Sequence, residues 1–124
     1  MTSKIIKIES KWFWGSSVYL VTADGNALVK CVIDDNDKDT CELQDLNVHS
    51  DYRTRGFAKA LMQEAEQVAK EHGCQFMLLW AEKDKWMRKW YERLGYYEEE
   101  FINPVHESTM WMRKNLKPVK YGKR

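Results

Sequence analysis

The chain has 124 residues and a mass of 14.8 kDa, is 44% hydrophobic and 31% charged, and sets 20 Lys and Arg against 19 Asp and Glu for a net charge of +1. That length bounds the chain to one domain with a real core, and the balanced charge removes a whole-molecule field as an argument for nucleic acid. Cys31, Cys41 and Cys74 show neither CxxC spacing nor a pairing pattern, which fits a reducing cytoplasm and excludes a disulfide framework.

No apolar run approaches a membrane span, and the first residues lack a leader-like apolar core, so the expected location is cytoplasmic. "KIIKIES" opens the chain as a short strand. "SSVYLVTADGNALVKCVID" reads as a β-hairpin turning at Asp24-Gly25-Asn26. "DDNDKD" reads as an acidic loop, and "TCELQDLNVH" as a further long strand.

From about Gly56 to His72 the period becomes helical, with Phe57, Leu61, Ala65, Val68 and Ala69 on one stripe and Gly73 as the stop. "CQFMLLWAE" is a strand covered on both faces. Asp84 caps a second helix, "KWMRKWYERL", which Gly95 ends. "YYEEEFI" and "STMWMRKNL" close the chain as strands, and the basic stretch 113–124 reads as a solvated end. The expected fold is α/β: a mixed β-sheet of six to seven strands with two main helices, one on each face.

One junction carries chemistry. Between the strand ending at Val48 and the helix beginning after Gly56 lies "YRTRGFA". The first N–H groups of a helix have no intrahelical partner and favour anions. Gly56 and the small Ala58 let a phosphate approach, and Arg53, Arg55 and Lys59 add positive charge at the rim. Taken alone, the same glycine reads first as a turn-maker among solvated cations.

The context is more specific. "YRTRGFA" fits R-x-x-G-x-A, "ELQDLNVHSDYR" carries an L-x-V strand ending at Val48, and "WYERLGY" carries Tyr-x-x-x-Gly-aromatic. In that order, with a strand between them, these resemble the GNAT superfamily of acyl-CoA N-acyltransferases over residues 41 to 115. The resemblance implies that acetyl-CoA lies where the fourth and fifth strands splay apart. It implies a pyrophosphate site at Arg53, Thr54, Arg55, Gly56, Phe57, Ala58 and Lys59, and a pantetheine site along Leu46, Asn47 and Val48. The Val48 N–H would polarise the thioester carbonyl.

Tyr91 matches the family tyrosine that protonates the departing thiolate; its alternative is a core aromatic beside Trp90 and Tyr97. Glu42 is the first choice for the base that deprotonates the acceptor amine, with Asp45 second; an exposed strand carboxylate is the alternative for Glu42. His49, His72 and His106 show no metal-ligand spacing, and the cysteines lie outside the pattern.

The chain departs from the family in two places. Only "KWFWGS" separates the first two strands, where members have two helices that wall the acceptor cleft. Trp12, Phe13 and Trp14, or a second subunit, would then form that wall, or the aromatics cover the bared sheet. Asp84 stands where members often have a pantetheine-binding Asn, with Met87 in place of a small residue.

The implied function is an N-acetyltransferase acting by direct attack in a ternary complex, with acetyl-CoA as donor and a protein, peptide or small amine as acceptor. A non-catalytic GNAT-like module working through protein contacts is the alternative. Nucleic acid is the weakest partner class, and C-terminal edge strands with exposed aromatics leave a homodimer open.

Overall fold

The computed structural model describes residues 4–48, 56–82, 86–100 and 108–117. In chain order the elements are β1 (Ile5–Trp12), β2 (Gly15–Thr22), β3 (Ala27–Asp34), β4 (Asp37–Val48), α1 (Phe57–Glu71), β5 (Phe76–Glu82), α2 (Trp86–Arg93), β6 (Tyr97–Glu98) and β7 (Thr109–Asn115). The strands form one seven-stranded sheet in the order β1-β2-β3-β4-β5-β7-β6. Every neighbouring pair is antiparallel except β4 and β5. The mixed sheet and both helices are those read from the sequence.

Local chemistry explains the elements. The β2–β3 hairpin turns where the Asp24 carboxylate accepts hydrogen bonds from the Thr22 hydroxyl at 2.7 Å and the Asn26 N–H at 3.1 Å, bonds that hold its pKa below the ordinary value. Helix α1 buries Phe57, Leu61, Met62, Ala65, Val68 and Ala69 on one stripe. It ends as the chain passes through Gly73 at φ 83, and the Cys74 N–H donates back to the Ala69 carbonyl at 2.9 Å.

Both helices share one face of the sheet, contrary to the expectation of one on each. The crossovers β4-α1-β5 and β5-α2-β6 step in the same direction, so right-handed connections place both helices on the same side. That side carries the core: Val18, Leu20, Val29, Cys31, Cys41, Leu43, Met77, Leu79 and Met112 join the α1 stripe and Tyr91 in one buried cluster. The opposite face bears Ile6, Ile8, Trp12, Tyr19, Trp80 and Tyr97, all exposed. The strand "CQFMLLWAE" is therefore covered on one face only. The order of elements did not reveal this, because it does not say on which side of β5 the strand β6 is added.

Three smaller expectations are corrected. The acidic loop shrinks to a turn at Asp35–Asn36, and β4 starts at Asp37. Of "YYEEEFI", only Tyr97–Glu98 is strand among the described residues. Two cations at the start of the basic end are structural: Arg113 lies 3.6 Å over the Phe76 ring and binds Glu99 at 2.7 Å, and Lys114 binds Glu66 at 2.9 Å. Residues 118–124 lie outside the described set.

The "KWFWGS" segment is a tight hairpin. Trp12 pairs with Gly15 across Phe13 and Trp14, so no helix separates the first two strands. Among the described residues no helix is long and apolar enough to cross a membrane.

Candidate functional site

Strand β4 has two unlike neighbours. Its pairing with β3 runs from Asp37 to Val48, whereas its pairing with β5 stops after Thr40↔Phe76, Cys41↔Met77 and Glu42↔Leu78. From Leu43 to Val48 and from Leu79 to Glu82 the two parallel strands diverge. The cause is local. Asp45 sits at φ 57, and the register with β3 slips from Lys30↔Gln44 to Leu28↔Asn47, so Asp45 and Leu46 together oppose Val29. Such a bulge bends and twists its strand, and Asp is among the few residues that accept a left-handed φ.

The opening is lined by Leu46, Asn47 and Val48 of β4, Ala58 of α1, and Trp86, Met87 and Trp90 of α2, around about 340 Å³. A second cavity of about 340 Å³, lined by Trp80, Ala81, Glu82 and Tyr91, shares Trp86 and Met87 with the first. Each is within the usual size range of a ligand pocket, ~300–1,000 Å³. Together they make an elongated cleft divided by two side chains.

The start of α1 faces this cleft through Ala58. Gly56 caps the helix at φ 81 with no side-chain cap bond and no acidic residue in the first turn. A Cβ on Gly56 would meet nothing within 4 Å, so the left-handed backbone, and not crowding, requires glycine. A positive helix end beside a cavity fits a phosphate group. Phe57 is buried in the core, so only its backbone can serve the site, while Lys59 is exposed. Arg53, Thr54, Arg55 and the cap residue Asp84 lie outside the described residues.

Tyr91 is buried at the end of the second cavity, edge-on to Trp90 at 5.3 Å and Tyr96 at 5.9 Å. Burial pushes its phenol up to about 12, so it is protonated at neutral pH. Glu42 is half-buried at the branch point, the last residue of β4 paired with β5, and accepts a hydrogen bond from Gln44 Nε2 at 3.3 Å. The register places Glu42 on the bare face with Val32 and Leu78, whereas Tyr91 belongs to the helix-covered core. Glu42 and Tyr91 thus lie on opposite faces of the sheet, and Glu42 lines neither cavity.

The aromatic hairpin does not wall this cleft. Trp12 is level with Gly15 and Asp34, at the end of β3 remote from Ala27, which pairs with Val48. Its indole N–H donates to the Ser17 hydroxyl at 2.9 Å and its ring stacks with Trp14 at 6.3 Å. Trp12 covers part of the bare face, and Phe13 stands 98% exposed at the hairpin tip.

Several cleft residues escaped the sequence reading: Trp80, Glu82, Trp86 and Trp90. Trp86 and Trp90, four apart on α2, share a helical face, and that spacing was the available signal. Cys31, Cys41 and Cys74 are buried away from the cleft lining, with no disulfide, and burial raises the Cys74 thiol to about 11. Among the described residues no cluster could hold a metal ion.

Comparison with known proteins agrees with this geometry. Residues 6–96 match the family model described as the acetyltransferase (GNAT) family. The chain therefore belongs to that family, which makes it an acyl-CoA-dependent acyltransferase by membership. No curated protein matches the chain by sequence.

Solved structures share the fold. The PaiA N-acetyltransferase of Thermoplasma acidophilum, in complex with coenzyme A, superposes with a TM-score of 0.65 at 22% identity over 80% of this chain and 59% of its own. The ribosomal-protein-S18-alanine N-acetyltransferase of Escherichia coli gives 0.64 at 16% identity over 87% and 73%. An acetyltransferase of Bacillus cereus gives 0.62 at 21% identity over 93% and 76%. At these identities the likeness is one of fold.

Proposed function

We propose that the chain is an acetyl-CoA-dependent N-acetyltransferase that acylates a primary amine of a protein, peptide or small amine by direct attack in a ternary complex. The observation that carries this reading is the opening between β4 and β5, which joins the glycine-capped start of α1 to Tyr91. Three buried, unpaired cysteines support a cytoplasmic site of action.

Backbone N–H groups at the start of α1, from Gly56 to Lys59, hold the pyrophosphate, with Arg53, Thr54 and Arg55 completing the motif. The edge that β4 exposes beyond Glu42 receives the pantetheine arm along Leu46, Asn47 and Val48. Acetyl-CoA supplies an acyl group already activated as a thioester. Glu42, reached from the bare face, takes the ammonium proton, directly or through water, because an unperturbed amine with pKa near ~10.4 is otherwise too protonated to attack. As the new N–C bond forms and the C–S bond breaks, Tyr91 gives its proton to the leaving sulfur. The Val48 N–H faces the acyl oxygen in this arrangement.

The absence of walling helices leaves the acceptor side open, which suits a polypeptide or extended amine. The bare apolar face also supports a second reading, a non-catalytic module that binds partners. Calorimetric titration with acetyl-CoA separates the two, using the parent and Gly56→Glu, with Gly56→Ala as the control for backbone strain. The enzyme reading expects binding in the parent, retained in the alanine variant and lost in the glutamate variant. A parent that binds no acetyl-CoA leaves only the module.

A further inference from the structure

The two edges of the sheet are unlike. At the β6 edge the described strand has two residues, too short to template another chain. The β1 edge runs eight residues from Ile5 to Trp12 in unbroken register with β2, with no proline and no bulge. Among the described residues nothing pairs with its outer side. The free N–H and C=O groups of such an edge recruit other strands, and natural edges are commonly blunted with charge. Here Lys7, Glu9 and Lys11 supply both signs, which discourages some registers and favours others.

The direction of those groups follows from the hairpin. Trp12 pairs with Gly15 across two residues, and the Lys4 carbonyl accepts from the Ala23 N–H at 2.7 Å. Even-numbered residues of β1 therefore bond inward to β2, leaving Ile5, Lys7, Glu9 and Lys11 with backbone groups outward. We propose that this edge is a dimerisation surface, on which a second copy of the chain adds its own β1 in antiparallel register centred on Ile8.

Charge selects that register. Centring on Ile8 sets Lys7 against the partner's Glu9, and Glu9 against the partner's Lys7, while the outward groups of all four odd residues meet in about eight backbone hydrogen bonds. Centring on Glu9 would oppose Lys7 and Lys11; centring on Lys7 would oppose two lysines. A centre on Ser10 also pairs opposite charges but joins fewer residues. Lys7 and Glu9 lean towards Glu71 at 3.8 Å and His72 at 3.3 Å on α1 yet stay partly exposed, within reach of a neighbour.

On the bare face Ile8 meets the partner's Ile8. The exposed group Ile6, Ile8, Trp12 and Tyr19 then becomes one apolar strip across the two-fold axis. Two strands separate β1 from β4, so the cleft stays open.

Sedimentation equilibrium over a concentration series tests this directly. The parent should approach twice the 14.8 kDa chain mass. Lys7→Glu and Glu9→Lys should each be monomeric, because each sets like charges face to face. Mixed in equal amounts, the two variants should form a heterodimer, since each supplies the charge the other lacks. Amide exchange of the parent provides a readout without mutation: Ile5, Lys7, Glu9 and Lys11 should be protected only at concentrations where the mass doubles. A parent that stays monomeric, a dimer that survives both single variants, or a mass that doubles without that protection overturns the proposal.

Discussion

The two seams of β4 are made from the same strand and do opposite work. Against β3 it is paired along its whole length, with two slips of register, and the seam buries Val29, Cys31, Cys41 and Leu43 beneath α1. Against β5 it holds for three residue pairs and then opens, and the opened edge lines a cleft. Stability should therefore reside in the first seam and ligand affinity in the second. A strand edge that borders a cavity offers its backbone to an extended ligand, which is the role proposed for Leu46, Asn47 and Val48.

The largest expected effect comes from breaking the closed seam. Leu43 is 6% exposed, and Leu43→Ala should cost about 2–5 kcal/mol of unfolding free energy by urea titration, since the tightly packed layer cannot refill the space. At temperatures where the variant is folded, its affinity for acetyl-CoA should match the parent. Equal losses of stability and affinity would show that the two seams are not separable.

A smaller effect isolates the chemistry of the open seam. Tyr91→Phe should leave acetyl-CoA binding intact and lower turnover on the order of tenfold. That is below the usual ~10²–10⁴ for a general acid, because a thiol with pKa near ~8.5 already leaves well. Burial raises the folded pKa of Tyr91 to about 12, so the phenol is protonated at every lower pH. Its stabilising contribution is complete below the unfolded value near ~10 and is lost as pH rises from there through about 12. The variant's pH profile below about 10 should thus keep the parent's shape at reduced height. Unchanged turnover would return Tyr91 to a purely packing role beside Trp90 and Tyr96.

Much of this contrast was legible in the sequence, and the reasons differ by element. Helix α1 announced itself because an amphipathic stripe and a terminal glycine are both local signals. Gly56 drew notice as the single glycine at a strand-to-helix junction, and its φ of 81 is a backbone that glycine adopts without strain. The placement of α2 was not legible: which face a helix covers depends on which way the sheet grows, and local sequence does not say on which side of β5 the strand β6 is added. Trp86 and Trp90 were hidden for the same reason, since their helical face has no meaning until the neighbour across the cleft is known. The bulge was silent as well, because Asp45 carries no glycine to mark it.

That silent bulge yields the finest test of the contrast, because it interrupts the β3 seam beside the stretch of β4 that has parted from β5. Asp45→Asn keeps a side chain that tolerates the left-handed region and should leave stability within about 0.5 kcal/mol. Asp45→Val puts a β-branched residue at φ 57 and should cost about 1–2 kcal/mol, or else relax the bulge and bring β4 back towards β5. In the second case acetyl-CoA affinity falls with the geometry, because Leu46, Asn47 and Val48 are carried by that bend. The asparagine variant also decides between the two carboxylates near the branch point. Turnover kept in Asp45→Asn but lost in Glu42→Gln assigns proton removal to Glu42; the reverse pattern, with stability and binding intact in both, assigns it to Asp45.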